Sequence, residues 1–503
     1  MTSLSRRRFL RGVAAMPLAL WVARNARAEV PRVRYDLASP AGQAMLGIFA
    51  DAVGRMRLRG EADPLGWTWQ WYTHFVNGAT TKADEIARIF GSATTPLGAL
   101  ASETWNTCQS HAGQNAAHFL PWHRMFVFFF EQIVREVSGR ADFTLPYWNY
   151  TSYDPAQRGV VPAPFRMSGD PLFGSLYRAE RTSLANAGQP IHMNQPGDAM
   201  DVAPAMACTN YNTVNSVPGF CRSIDSGIHS RIHVLVGNGR NMGAVPYAAN
   251  DPLFWVHHVN IDRLWASWNR NGGPNPTTGT WLTREFAFVD GKGQRVTGRL
   301  KDFFDIDALG YTYDKWVAPD GTETALPPAQ ARALLAQLAA PVGAVAEVIA
   351  RAIASAELGA APVRVALSPL AAVASTLRAA AAGLDPTGAR RSYLVVRGLH
   401  AWKQPEVLYH LYLTPGRSGQ LGPKTYVGNI NFFDAEFHDH GGGALGDALG
   451  ENFYSFDVTA LLRRLARSGA LGLGTPLAVT FVPGGKPAPG AKPLVGTVEL
   501  VWQ

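Results

Sequence analysis

The hydrophobic pattern divides the chain into segments of different period. Residues 119–131 (Phe-Leu-Pro-Trp-His-Arg-Met-Phe-Val-Phe-Phe-Phe-Glu) are apolar nearly all round, and Pro121 stands where a helix opens. Such a pattern predicts a buried helix, with His123 and Glu131 as its polar exceptions. Residues 250–265 open with Asp251-Pro252 and continue as a second core helix carrying His257, His258 and Asp262. Residues 67–76 have helical spacing and carry His74. From about 325 to 390 the chain is rich in Ala, with Leu and Val at helical spacing and Pro327, Pro328, Pro341, Pro362 and Pro369 as breaks, which predicts short helices. From Tyr393 the texture changes. Runs such as Tyr393–Leu399, Val407–Leu413, Tyr426–Phe433 and Leu477–Val482 are β-branched or aromatic between Gly and Pro clusters, and predict a β-sandwich. No internal repeat is visible. The expected organisation is a targeting segment (1–28), a mainly α domain (29–315), an Ala-rich helical linker (316–392) and a β-sandwich domain (393–503).

Composition is that of a globular protein too long for one ordinary core: 503 residues, 47% hydrophobic and 17% charged. The net charge of +8 is concentrated at the start. Residues 1–28 hold six arginines and no acid, and without them 40 basic side chains face 38 acidic ones. With no basic stripe elsewhere, nucleic acid is not an expected partner. The segment Ser5-Arg-Arg-Arg-Phe-Leu-Arg11, a short apolar run and Ala26-Arg-Ala28 resemble a twin-arginine export signal with a cleavage site before Glu29. The run is too short to span a bilayer, so a periplasmic or secreted protein is expected. Of three cysteines, Cys208 and Cys221 stand close enough to pair in an oxidising compartment, which would stabilise by about 3 kcal/mol. Two separate buried thiols are the alternative.

Histidines carry the chemistry. His229 and His233 are an i, i+4 pair on one helix face, a pattern that two surface histidines satisfy equally well. His257 and His258, adjacent in a buried helix, are costly unless they have partners. Asp262, one turn after His258, is placed to accept its second ring proton. His74, His111, His118 and His123 supply a second set. Imidazole serves copper, zinc, iron and nickel alike. Neither the Glu-x-x-His pairs of a di-iron bundle nor bridging carboxylates for two zinc ions accompany these histidines, which favours copper.

Phe119-Leu-Pro-Trp-His-Arg124 resembles the first copper-site signature of the tyrosinase and catechol oxidase (polyphenol oxidase) family. Asp251-Pro-Leu-Phe-Trp-Val-His-His258, continuing through Asp262-Arg-Leu-Trp265, resembles the second, and His229-x-x-x-His233 lies between them. The resemblance implies a four-helix bundle with two coppers, one held by His74, His111 and His123 and the other by His229, His233 and His258, with His257 beside them. Relatives place the second and third ligands of the first site closer together than His111 and His123. His118 is therefore an alternative, although Trp105-Asn-Thr-Cys-Gln-Ser-His111 resembles the family's segment there. In some members a cysteine is joined to that histidine by a thioether, for which Cys108 is the candidate, a buried thiol being the alternative. Tyr311-Thr-Tyr313 resembles the motif that closes the catalytic domain against an arginine, here Arg32 or Arg34. Phe453-Tyr-Ser-Phe-Asp-Val458 resembles a C-terminal motif of plant polyphenol oxidases, which implies a β-domain that covers the copper site until displaced. The resemblance does not identify the covering side chain.

The implied reaction is oxidation of small o-diphenols by dioxygen to o-quinones, with ortho-hydroxylation of monophenols as a second activity. Asp225 and Ser230 stand where relatives order a water for that step, and Asp225 equally suits a helix N-cap. Val245 stands at the gate position and is small. A haemocyanin-like oxygen carrier, an o-aminophenol oxidase and a histidine-ligated zinc hydrolase are the other readings. Oligomeric state is not encoded in any pattern found.

Overall fold

The computed structural model describes residues 31–109, 116–324, 346–352, 354–370, 390–416, 419–433, 435, 453–471 and 475–503. The expected signal 1–28 and His111 lie outside the described residues.

The predicted histidine-bearing helices form, and their ends follow the expected chemistry. Helix α1 (Pro40–Leu58) starts with Pro40 behind a Ser39 cap whose hydroxyl accepts from the Gly42 amide. Helix α2 (Trp67–His74) ends on His74. Helix α3 (Phe119–Ser138) is buried nearly all round, as its lack of a polar face requires, and stops at Gly139 in the left-handed region. Helix α4 (Ser230–Val236) follows a π-helical turn at Ser223–His229. Helix α5 (Pro252–Arg270) begins at Asp251, whose carboxylate accepts from Leu253 N and is clasped by the buried Arg181 at 2.6 and 2.8 Å.

A buried ionic cluster locks α3 and α5 to the start of the domain. Strand β1 (Arg32–Arg34) pairs in parallel with β2 (Tyr311–Tyr313). Arg34, rather than Arg32, turns inward: it donates to Glu131 at 2.9 Å and to Asp262 at 3.0 Å, and lies 3.8 Å from the Tyr311 ring centre. Arg124 also donates to Asp262, and both tyrosine hydroxyls of the motif donate to it. Asp262 therefore does not serve His258 as expected. Two guanidinium groups from distant segments outcompete one neutral imidazole N–H for a buried carboxylate. Burial alone would raise the Asp262 pKa, but Arg124 and Arg34 hold it below the ordinary value.

Removing one partner from such a cluster strands the other charges. Asp262→Asn should destabilise the fold by about 3–5 kcal/mol in denaturant titrations at neutral pH. The native pKa is depressed, so the carboxylate contributes fully above its unfolded value and progressively less as pH falls through the folded one. The gap between wild type and variant should accordingly shrink in acid, and a pH-independent gap would argue against the ionic origin.

Among the described residues, the C-terminal half carries a nine-stranded antiparallel sheet. Its strands are β3 (Glu347–Ala352), β4 (Ala356–Glu357), β5 (Val363–Pro369), β6 (Ser392–His400), β7 (Tyr409–Pro415), β8 (Tyr426–Ile430), β9 (Phe453–Asp457), β10 (Leu477–Pro483) and β11 (Leu494–Trp502). The order is β8-β7-β10-β5-β3-β11-β6-β9, with β4 also on β11. The sheet curls almost closed around Leu394, Val396, Leu411, Leu413, Phe481 and Leu500, in place of the two packed sheets expected of a sandwich. Near-closure leaves few exposed edge groups.

The helical linker is also corrected. Among its described residues, 347–352 and 363–369 are strands that complete this sheet, so the β-domain begins near 346 and not at 393. Within β5, Val363, Val365 and Leu367 alternate with the exposed Arg364 and Ala366, a period of two that helical propensity does not override once neighbouring strands offer partners. The Ala-rich stretches 325–345 and 371–389 lie outside the described residues. No helix among the described residues is long and apolar enough to cross a membrane.

The predicted disulfide is absent. Cys208 Sγ lies 3.4 Å from Ser223 Oγ, whereas Cys221, in the turn Phe220–Arg222, faces the Ala117 carbonyl. Burial pushes the two thiols up to about 11 and about 12, which keeps them protonated.

Candidate metal centre

Among the described residues, two groups of donors meet in the interior of the helical domain. His229, His233, His257 and His258 form one, and His74, Cys108 and His123 the other. Every histidine among them is buried, at 4% exposure or less. The groups face each other where α3 meets α5: the His123 and His258 rings are parallel, with centres 4.4 Å apart. Phe119 lies 4.6 Å from both His123 and His229, and Phe254 packs on His258 at 4.1 Å and His74 at 5.0 Å. These rings wall the centre off from water.

The backbone orients several of the imidazoles. His123 Nδ1 donates to the Phe119 carbonyl at 2.9 Å, and His233 Nδ1 to the Met242 carbonyl at 2.6 Å. His229 Nδ1 lies 2.9 Å from the Asp225 carboxylate. A carbonyl can only accept, so Nδ1 of His123 and His233 carries the proton and Nε2 keeps its lone pair. Burial lowers the pKa of His74, His233, His257 and His258 well below the ordinary value, and that of His123 to about 3, so these rings are neutral at neutral pH.

The buried ring nitrogens of His233 (Nε2) and His258 (Nδ1 and Nε2) have no hydrogen-bond partner. Leaving such atoms unmatched costs about 1–3 kcal/mol each. A metal would satisfy them. The donors are imidazoles and one thiol, with the nearby Asp225 carboxylate engaged by His229 Nδ1, a set that suits copper better than calcium or magnesium.

The remaining expected residues fall as follows. His257 lies in the four-histidine group, its ring parallel to His229 at 5.4 Å. Ser230 Oγ donates to the Asp225 carbonyl at 2.6 Å. Asp225 sits inside the π-turn and does not cap a helix. Val245 opens a short helix, Val245–Ala248, and is buried. His118 joins neither group: its ring packs on Trp281 at 5.4 Å and its Nδ1 meets Gln109.

Two features of the site carry no local signal in the sequence. One is the π-turn itself, whose extra residue per turn breaks at the non-helical Gly227 and aims Asp225 at His229. The other is Phe433. It belongs to the β-domain, yet its ring lies parallel on His233, 4.2 Å away, and edge-on to His229 at 5.7 Å. Gln404 Nε2 donates to the Phe433 carbonyl and Asn431 Oδ1 accepts from its amide, which fixes the loop beyond β8. The β-domain is held down further by Glu406 accepting from Gly239 N at 2.7 Å, His410 Nε2 donating to Gln195 at 2.8 Å, and Ser455 Oγ donating to the Ser216 carbonyl at 2.6 Å.

The common central domain of tyrosinase matches residues 67–213 and 174–271, and the polyphenol oxidase middle domain matches 275–320. The chain belongs to the tyrosinase and polyphenol oxidase family of type 3 copper proteins. Tyrosinase HcTyr1 of Hahella sp. (strain CCB-MM4) is 34% identical over 292 residues, covering 53% of this chain and 60% of that protein. The match thus spans less than two thirds of that relative. Two solved structures share the fold across both domains. A latent aurone synthase (polyphenol oxidase) has a TM-score of 0.59 at 17% identity, covering 95% of this chain and 90% of its own. Latent apple tyrosinase has 0.55 at 18%, covering 94% and 97%. Both family matches fall on the segments that carry α2–α5 and β2, so the family resemblance and the buried donor groups coincide in this tyrosinase-family chain.

Proposed function

We propose that this protein oxidises o-diphenols to o-quinones with dioxygen, and hydroxylates monophenols as a second activity, at a six-histidine copper pair in a four-helix bundle. His74, His111 and His123 would hold one copper, and His229, His233 and His258 the other. The observation that carries the reading is the pair of facing donor groups, every histidine in them buried, joined at the His123–His258 stack. Copper bound there would supply dioxygen activation and two-electron oxidation of the phenol.

The chain's own residues do the rest. Asp225 and the carbonyls of Phe119 and Met242 hold the ring protons on Nδ1 and keep the imidazoles aimed inward. Phe119 and Phe254 exclude water, which protects a reactive centre from side reactions. Val245, small and next to the histidines, is the proposed gate for the substrate ring. Phe433 occupies the space above His233, which supports a latent full-length chain. Export to the periplasm by the twin-arginine route is part of the same proposal.

The test is metal content of the copper-loaded full-length chain, with oxygen uptake and quinone absorbance on adding a catechol, before and after limited proteolysis between 325 and 345. Two coppers and quinone formation that rises on cleavage are expected. Zinc, or a single copper, would end the reading. Reversible oxygen binding without quinone would favour an oxygen carrier instead.

A further inference from the structure

The first donor group holds a side chain whose position the copper reading does not need. Cys108 Sγ lies 3.1 Å from His74 Nε2 and 3.7 Å from His123 Nε2. The three ligand atoms lie within 4.8 Å of one another. In His123 this is the nitrogen left with a lone pair, because Nδ1 is tied to the Phe119 carbonyl.

The placement of the sulfur is built into the backbone. Residues 106–108 run along the C-terminal end of α2 and satisfy its last carbonyls in succession: Asn106 N donates to Tyr72 O, Thr107 N to Thr73 O and Cys108 N to His74 O. Asn106 takes a left-handed φ of 52°, and its side chain accepts from Val76 N across the end of the helix. The terminal carbonyls of a helix need such partners, so the clamp that caps α2 also brings the thiol to His74. The sulfur is half-buried, on the side of His74 and His123.

We propose that Cys108 is a thiolate ligand for cuprous copper, completing a His74–His123–Cys108 site through which the first copper is captured. The inference rests on the copper reading above and goes beyond it by adding sulfur to a centre otherwise made of imidazoles. Thiolate is a soft donor and selects Cu(I) over harder divalent ions. On binding, the thiol proton leaves to solvent and one Cu–S bond forms, with no electron transferred.

The experiment is anaerobic loading of the full-length chain with Cu(I), in wild type and Cys108→Ser. Copper X-ray absorption and competition with the chelator bicinchoninate supply the readouts. Wild type should show a sulfur neighbour at about 2.3 Å, the length of a metal–thiolate bond. Cys108→Ser should show nitrogen alone and bind its weaker copper at least ~10-fold less tightly. It should keep one copper at His229, His233 and His258, which also reports that the variant has folded. Two coppers with nitrogen neighbours only in the wild type would overturn the thiolate and leave the copper reading intact. Failure to bind copper at all would overturn both. An intact mass lower by two hydrogens, with Cys108 joined to a histidine-containing peptide, would replace the thiolate by a thioether.

Discussion

Phe433→Ala in the full-length chain should raise the initial rate of catechol oxidation about 10-fold or more. The ring is buried against His233 and His229 while belonging to the other domain. Burying a phenylalanine is worth roughly 1.5–3 kcal/mol, and each 1.4 kcal/mol changes a population tenfold. Truncating it opens the space over His233 and weakens the closed state together. The polar contacts through Glu406, His410 and Ser455 remain, so proteolytic release should exceed the variant's gain. Rates of quinone formation at equal copper content measure this. An unchanged rate in the variant, beside a large rise on cleavage, would move the block away from Phe433.

His258→Ala should empty one copper position and cut catechol oxidation by at least ~100-fold. Both ring nitrogens of His258 lack a partner, so the ring makes no hydrogen bond whose loss would unfold α5. What the variant loses is stacking on His123 and packing on Phe254. His192, outside both donor groups, is the control, and His192→Ala should keep two coppers and full activity. His257 supplies the sharper comparison because it sits in the same four-histidine group. If His257→Ala empties the position while His258→Ala does not, the ligand assignment passes to His257.

The donor-bearing helices were legible because their signals are local. An apolar run with a single histidine and an Asp-Pro start state burial, helix and polar exception within a few residues, and α3 and α5 formed as read. What failed depended on distant partners. Spacing along α5 assigns Asp262 to His258, but Arg34 and Arg124 arrive from elsewhere. The Ala-rich segment reads as helix on propensity, yet β3 and β5 find strands more than a hundred residues downstream. Phe433 reads as the end of a strand, since nothing near it in sequence says that it leaves the sheet at Ile430 and crosses to another domain. Proximity along the chain suggests a Cys208–Cys221 pair, but it says nothing about where two thiols point.

The position of β11 sets a timetable. This strand pairs with β6 along its whole length and with β3 and β4 on its other side, and all three precede it in the chain by almost a hundred residues or more. During synthesis the sheet lacks that interior member until residue 502 has left the ribosome, so the loop bearing Phe433 has no finished support. At the usual rate of about 5–20 residues per second, the histidine domain would stand complete and uncovered for roughly ten seconds or more. That interval would leave the histidines open to metal until β11 emerges and pairs.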